Sequence, residues 1–126
     1  KIDCGKEIKF TISYKLKRDI KNFQIVMHIY SISGVYVMST ADIDLNDNLF
    51  LQRSTGKYEC DLSLPSYLLS PGIYSVKVYA GVPGGLVYLN VDGPVLNIVE
   101  DSYIIEKWSK GRYGTILAHR IQWKYK

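Results

Sequence analysis

The residues that could do chemistry are few, and most lack the arrangement that catalysis needs. His28 and His119 are the only imidazoles in the chain, and both fall within predicted strands. A Ser–His–acid triad assembles in space, but the sequence contains no G-x-S-x-G nucleophile elbow. The run Gly81-Val82-Pro83-Gly84-Gly85 has the glycines of a phosphate cradle without the lysine and the following helix of a P-loop. We therefore expect no enzyme, and neither binding nor hydrolysis of ATP.

Metal and redox chemistry also lack a complete set of groups. Cys4 and Cys60 are the only cysteines, and two distant Cys with two distant His do not make a metal site. A secreted disulfide scaffold is normally smaller and richer in Cys. We expect two reduced thiols, a reducing compartment and no cofactor. Asp42, Asp44 and Asp47 lie in a loop and are expected to be solvated, or to form a weak cation site.

Tyrosine is the most informative residue type for binding. The chain has eleven Tyr, two Trp and three Phe. A Tyr or Trp ring offers a rigid apolar face with a polar tip, which suits the C–H patches and hydroxyl rim of a sugar. Tyr30, Tyr79 and Tyr88 have outward or rim positions in the predicted strands. Sheets also use Tyr in their strands for structural reasons. Each of these tyrosines therefore has two possible roles, in sugar binding or only in the structure of its strand.

The net charge of +4 is unevenly placed along the chain. Residues 107–126 hold six basic residues and no acid, whereas residues 40–106 hold nine acids against three bases. A nucleic-acid reader concentrates its bases on one face or loop. Here most bases alternate with apolar residues or sit in turns, which indicates solvated strand faces. Binding of an anionic partner is kept as an alternative.

Apolar and polar residues alternate along most of the chain, which predicts an all-β fold. About eight strands follow from this period of two. They cover residues 8–14, 23–30, 35–39, 56–62, 73–81, 86–91, 95–99 and, last, Thr115 to Trp123. Turns are expected at Ser33-Gly34, Ser70-Pro71-Gly72 and Asp92-Gly93-Pro94, with one helical turn at 64–69. The pattern predicts an immunoglobulin-like antiparallel β-sandwich, one domain over residues 1–126.

The predicted core comes from the apolar phase of the alternating strands. Its members are Phe10, Ile12, Ile25, Met27, Ile29, Tyr74, Val76 and Val78. The chain begins without Met, and we expect it to be a piece cut from a longer protein.

The order of these segments resembles the C-terminal carbohydrate-binding domain of Wzt, the nucleotide-binding subunit of ABC transporters that export O-antigen polysaccharides. The similar pieces are Gly5-Lys6-Glu7-Ile8, Asn22-Phe23, Ser31-Ile32-Ser33-Gly34, Ser39-Thr40, Gly56, Leu69-Ser70-Pro71-Gly72-Ile73-Tyr74-Ser75-Val76-Lys77-Val78, Gly114-Thr115-Ile116 and Trp123. The chain departs from the family at Ser31, where the family usually has Asp, and at Ser39, where it usually has Asn. Both look like positions that anchor turns.

The resemblance implies a recognition domain at the C-terminal end of a transporter ATPase subunit. Such a domain binds the finished glycan, often at a modified chain end, and lies in the cytoplasm at the inner membrane. Its partners are the polysaccharide, the ATPase domain, the membrane subunit and a second copy. The family tends to dimerise by exchanging a terminal strand, and Thr115 to Trp123 is the strand expected here.

The outward phase of three strands predicts where the glycan binds. It carries His28 and Tyr30 on the second strand, Lys77 and Tyr79 on the Pro-Gly strand, and Gln122 near the chain end. We expect these strands to be neighbours in one sheet and the five side chains to line a shallow glycan groove. Two alternatives remain: an ordinary solvated sheet face, and a structural sandwich that only mediates subunit assembly.

Overall fold

Two β-sheets pack face to face. The computed structural model describes residues 1–44, 48, 51–85, 87–100 and 121–126, and these ranges contain eight strands. They are β1 (Ile2–Asp3), β2 (Ile8–Leu16), β3 (Gln24–Ser31), β4 (Tyr36–Ala41), β5 (Gly56–Leu64), β6 (Gly72–Gly81), β7 (Val87–Val99) and β8 (Trp123–Tyr125). The larger sheet has the order β1-β7-β6-β3-β4 and the smaller one β2-β5-β8. All pairs are antiparallel except β1 with β7. The predicted all-β sandwich is confirmed.

The core lies between the inner faces of the two sheets, where the alternation placed it. Ile25, Met27, Ile29, Tyr74 and Val76 are buried, as predicted. The other predicted members are half-buried and pack against the core: Phe10, Ile12 and Val78. The small sheet adds the buried residues Cys60, Leu62 and Leu64. Both cysteines are buried.

The turn predicted at Asp92-Gly93-Pro94 is wrong, because β7 runs through it as one strand. Ser75 pairs with Val95 and Lys77 pairs with Asp92, so Gly93 and Pro94 together lie opposite Val76. This is a β-bulge, a place where a strand accepts Pro. A Cβ on Gly93 would lie 3.1 Å from Cγ1 of Val76. The glycine is therefore needed for close approach of two strands and not for a reversal of the chain.

The chain end differs from the prediction in its position and its sheet. Residues 115–120 of the predicted last strand lie outside the described residues, as do 101–114 of the connection. The described part forms its strand later, at β8, which pairs with β5 in the small sheet. The expected helical turn at 64–69 is a β-turn, in which the Leu68 N–H donates to the Pro65 carbonyl at 3.3 Å.

A buried polar network joins the two sheets near β8. Asp42 and Arg53 form an ion pair at 2.6 Å, and their side chains are 0% and 1% exposed. Tyr125 also donates to the Asp42 carboxylate, and the Trp123 Nε1–H donates to Thr40 in β4 at 2.9 Å. The expectation that Asp42 is a solvated loop acid is therefore wrong. Its carboxylate can be buried because a cation, one hydroxyl and the backbone N–H of Ile25 satisfy it.

Candidate functional site

The outer face of the five-stranded sheet brings together four rings from three neighbouring strands. His28 and Tyr30 project from β3, Tyr36 from β4 and Tyr79 from β6. The imidazole of His28 lies at the centre, with ring centroids 4.9 Å from Tyr79, 5.6 Å from Tyr36 and 6.0 Å from Tyr30. These rings, the ring cluster from here on, meet because β3 lies between β4 and β6. Their tilted and edge-on contacts are those that aromatic pairs prefer.

Polar atoms of the ring cluster point to one another and to its margin. The Tyr30 hydroxyl lies 3.3 Å from Nδ1 of His28, and the Tyr36 hydroxyl donates to Ser39 at 2.8 Å. Burial lowers the pKa of His28, because the charged imidazolium loses solvation. A hydrogen bond with Tyr79 is the main cause that raises the pKa of Tyr30. At neutral pH His28 and Tyr30 are therefore uncharged, and the cluster combines a neutral imidazole at its centre with tyrosine hydroxyls around it.

A polar row crosses the sheet through the ring cluster. Register places Ser39, His28, Lys77 and Asp92 side by side on β4, β3, β6 and β7. Lys77 Nζ lies 3.9 Å from a carboxylate oxygen of Asp92. These two are the only charged residues in those four strands, so the charges on these four strands cancel. The short fifth strand, β1, adds the carboxylate of Asp3.

The outer face of the small sheet is different, because charged side chains cover it. The strands β2, β5 and β8 and the residue after them contribute Lys9, Lys15, Lys57, Glu59, Asp61, Lys124 and Lys126. Lys126 pairs with Glu59 at 3.0 Å and with Asp61 at 3.4 Å. A cleft of about 530 Å³ on this face is lined in part by Gln122 and Lys124. The outer face of the five-stranded sheet is therefore largely aromatic with one charged pair, whereas that of the small sheet is highly charged.

The structure brings together four of the five predicted site residues. His28, Tyr30, Lys77 and Tyr79 share one face, and the pairing of β3 with β6 aligns His28 with Lys77. The expectation that the last strand lies beside β3 and β6 in one sheet is wrong. Gln122 lies on the opposite side of the sandwich, because β8 pairs with β5.

The sequence reasoning missed three members of the face. Tyr36 and Ser39 lie on the return strand of the first hairpin, three residues apart, so alternation alone gives them opposite phases. A β-bulge, at the register shift between Ile29 and Tyr30, places both on the outer face. Asp92 was assigned to a turn that does not exist. Tyr88, expected at the rim, lies elsewhere and contacts Arg18, whose guanidinium is 5.6 Å from the ring centroid.

In the described part of the chain, no group of three or more His, Cys, Asp or Glu side chains is placed to hold a metal ion. Within the same ranges, no helix has the length and apolar character needed to cross a membrane.

The chain is similar to known proteins both in sequence and in fold. A family model described as the Wzt C-terminal domain matches residues 1–106. Among solved structures, the crystal structure of the C-terminal domain of wzt is similar with a TM-score of 0.59 at 17% sequence identity. That match covers 79% of this chain and 64% of the other, slightly less than two thirds of its length. No curated protein sequence matches the chain.

Proposed function

Since the chain belongs to the Wzt C-terminal domain family, we propose that it binds an exported O-antigen-type polysaccharide on the outer face of its five-stranded sheet. The observation that carries this proposal is the ring cluster on a face with balanced charge. Three tyrosine rings have their centroids within 6.0 Å of the His28 ring, and the four strands around them carry one cation and one anion. A partly exposed cluster of this kind offers a sugar ring a surface on which to stack.

The polar groups around the rings supply the second half of sugar recognition. A pyranose presents hydroxyls around its rim, each of which donates and accepts hydrogen bonds. Ser39, the His28 imidazole, Lys77 and Asp92 form a row of donors and acceptors beside the rings. Lys77 and Asp92 remain 43% and 83% exposed, so both keep capacity for a ligand. Rings give the stacking surface, and the row gives orientation.

The same face fits an assembly interface less well. A stable subunit interface has an apolar core in which charged residues are depleted. Here a charged pair and a half-buried imidazole lie in the middle of the face, next to Tyr hydroxyls. An interface would have to desolvate all of these groups, whereas a sugar replaces water with its own hydroxyls.

In the whole protein, the family suggests the setting for this domain. We place it at the C-terminal end of a transporter ATPase subunit, in the cytoplasm at the inner membrane, without catalytic activity of its own. Its protein partners are the ATPase domain, the membrane subunit and a second copy, with the strand from Thr115 to Trp123 exchanged between protomers. A monomer by light scattering at micromolar concentration contradicts the dimer.

The test of the binding proposal is Tyr79→Ala, titrated with polysaccharide purified from the source organism. Loss of a stacking ring should weaken binding by about 1–3 kcal/mol, while circular dichroism stays unchanged because the side chain projects outward. Tyr88→Ala is the matched control, since Tyr88 is an exposed tyrosine outside the ring cluster. Unchanged binding in His28→Ala, Tyr30→Ala and Tyr79→Ala alike means that the glycan binds elsewhere.

A further inference from the structure

Next to the ring cluster, the outer face becomes aliphatic. Ile32, Ile73 and Val95 are 69%, 43% and 66% exposed, and they form what we call the aliphatic strip. The Ile32 N–H donates to the Ile73 carbonyl at 2.9 Å, so these two residues are cross-strand neighbours. Val95 pairs with Ser75 in the adjacent strand, two residues along β6 from Ile73. The strip therefore runs from the turn after β3, across the start of β6, to the middle of β7.

Ser75 lies where the strip meets the ring cluster. Register places Tyr30 on one side of it and Val95 on the other, with Ile73 and Lys77 as its outward neighbours along β6. Ser75 has the smallest side chain in the outward row from Ile73 to Tyr79, and it is half-buried while Ile73 and Val95 are exposed. A small residue between larger ones leaves a notch. Its neighbours are Ile73, Val95 and Tyr30 on three sides and Lys77 on the fourth, and its floor carries one hydroxyl.

We propose, building on the glycan-binding function above, that this notch selects neutral glycans that contain 6-deoxyhexoses. The C6 methyl group of such a sugar is apolar, and it stands at one edge of a ring whose other edge carries hydroxyls. With the ring stacked on the cluster, the methyl group fits over Ser75 against Ile73 and Val95. The hydroxyls then face the row that contains Lys77 and Asp92.

Charge on the face supports a neutral glycan. Lys77 is the only cation in β3, β4, β6 and β7, and it already lies 3.9 Å from Asp92. A polyanion that approached this row would meet one carboxylate for every ammonium. The Asp92 carboxylate would repel such a polyanion and offset its attraction to Lys77. A glycan without charge meets no repulsion of this kind, so the face suits uncharged repeats.

The strip is too small to be a protein interface by itself. A specific protein–protein contact takes about 20–30 residues a side, and the strip has three aliphatic side chains. One methyl group, by contrast, needs only a few apolar neighbours. The strip also continues into the ring cluster without a break, which places it at the edge of one binding face.

The experiment compares two probes that differ only at C6. α-D-Rhamnan and α-D-mannan oligosaccharides of the same linkage and length are titrated into the protein by calorimetry. We expect rhamnan to bind about fourfold more tightly for each methyl group that is buried. Val95→Ser should remove that preference and leave mannan affinity near its wild-type value. Val87→Ser is the matched control, because Val87 is an exposed valine of β7 in the other half of the strand.

The outcomes separate this inference from the function on which it rests. Equal affinity for the two probes, tighter binding of mannan, or a preference that survives Val95→Ser overturns the deoxyhexose inference. If Tyr79→Ala still weakens binding in those cases, the glycan-binding function stands. Absence of binding to rhamnan overturns the inference as well. Absence of binding to the source organism's own polysaccharide then overturns the function too.

Discussion

Tyr125 in β8 donates its hydroxyl hydrogen bond to Asp42, and the same carboxylate oxygen accepts from Arg53 at 2.6 Å. The other carboxylate oxygen accepts from the backbone N–H of Ile25 at 3.1 Å. Burial raises the pKa of Tyr125 and the carboxylate raises it further, so the phenol remains protonated and donates. One buried anion therefore links the chain end, β3 and the segment at residue 53.

Removing the cation from this network should destabilise the domain severely. Arg53→Met leaves the buried Asp42 carboxylate without its cation, and we expect the free energy of unfolding to fall by about 3–5 kcal/mol. Urea denaturation followed by tryptophan fluorescence measures it. Lys126→Ala is the control, because its ion pairs with Glu59 and Asp61 are exposed and solvent-screened pairs contribute little to stability. An Arg53→Met domain as stable as the wild type shows that the carboxylate is not buried in solution.

A second stability prediction concerns the inner face of β6. Val76 is 2% exposed, so Val76→Asp places an unpaired carboxylate in the core, which exceeds what a domain with about 5–15 kcal/mol of net stability absorbs. We expect the variant not to fold, as seen by circular dichroism and by insoluble expression. Val87→Asp, at a valine that is 59% exposed, should fold normally. A folded Val76→Asp domain contradicts the assignment of Val76 to the core.

Alternation along the sequence predicted the strands and most of the core, because the period of two is a local property of each strand. The positions that failed depend on contacts between distant segments. Gly93 was assigned to a turn because glycine next to proline usually marks one, but here the close approach of Val76 decides its role. Asp42 was assigned to solvent by its loop composition, and only the tertiary position of Arg53 explains its burial.

The same difference between local pattern and long-range contact applies to the candidate site. The phase of single strands was sufficient to place His28 and Tyr30 together, and Lys77 with Tyr79. That β3 and β6 pair, and that β8 pairs elsewhere, depends on sheet order, which alternation does not encode. The prediction for Gln122 was wrong for this reason. Tyr36 joins the ring cluster through a register shift in the hairpin of β3 and β4, which alternation does not encode either.

The buried cysteines should be unreactive in the folded domain. Burial is the main cause that raises the pKa of Cys60 to about 11, and thiol reagents attack the thiolate. Cys4 is 4% and Cys60 is 0% exposed. We expect Ellman's reagent at pH 8 to react slowly with the native protein and with two thiols per chain in guanidinium chloride. Rapid labelling of two native thiols contradicts this burial, and failure to label two after denaturation points to a disulfide.

The last prediction concerns the imidazole at the centre of the ring cluster. His28 faces the rings of Tyr30, Tyr36 and Tyr79 and lies opposite Lys77 in register. Burial lowers its pKa below the ordinary 6.5. The folded state therefore binds fewer protons than the unfolded state between the lowered pKa and 6.5. Since stability rises with pH where the unfolded state binds more protons, the contribution of His28 to stability falls as the pH drops through this window.

NMR titration of the imidazole Cε1–H signal measures this pKa directly. His28→Gln identifies the signal by its loss, which separates it from that of His119. The same variant removes the proton-binding group, so its stability should fall less than that of the wild type as the pH drops through the window. Protonation also turns Nδ1 from an acceptor into a donor and ends any hydrogen bond that it accepts from the Tyr30 hydroxyl. Glycan binding through this cluster should then be constant from pH 7 to 8 and weaken below the measured pKa. A His28 pKa at or above 6.5 contradicts the burial of the imidazole and, with it, the packing of the ring cluster.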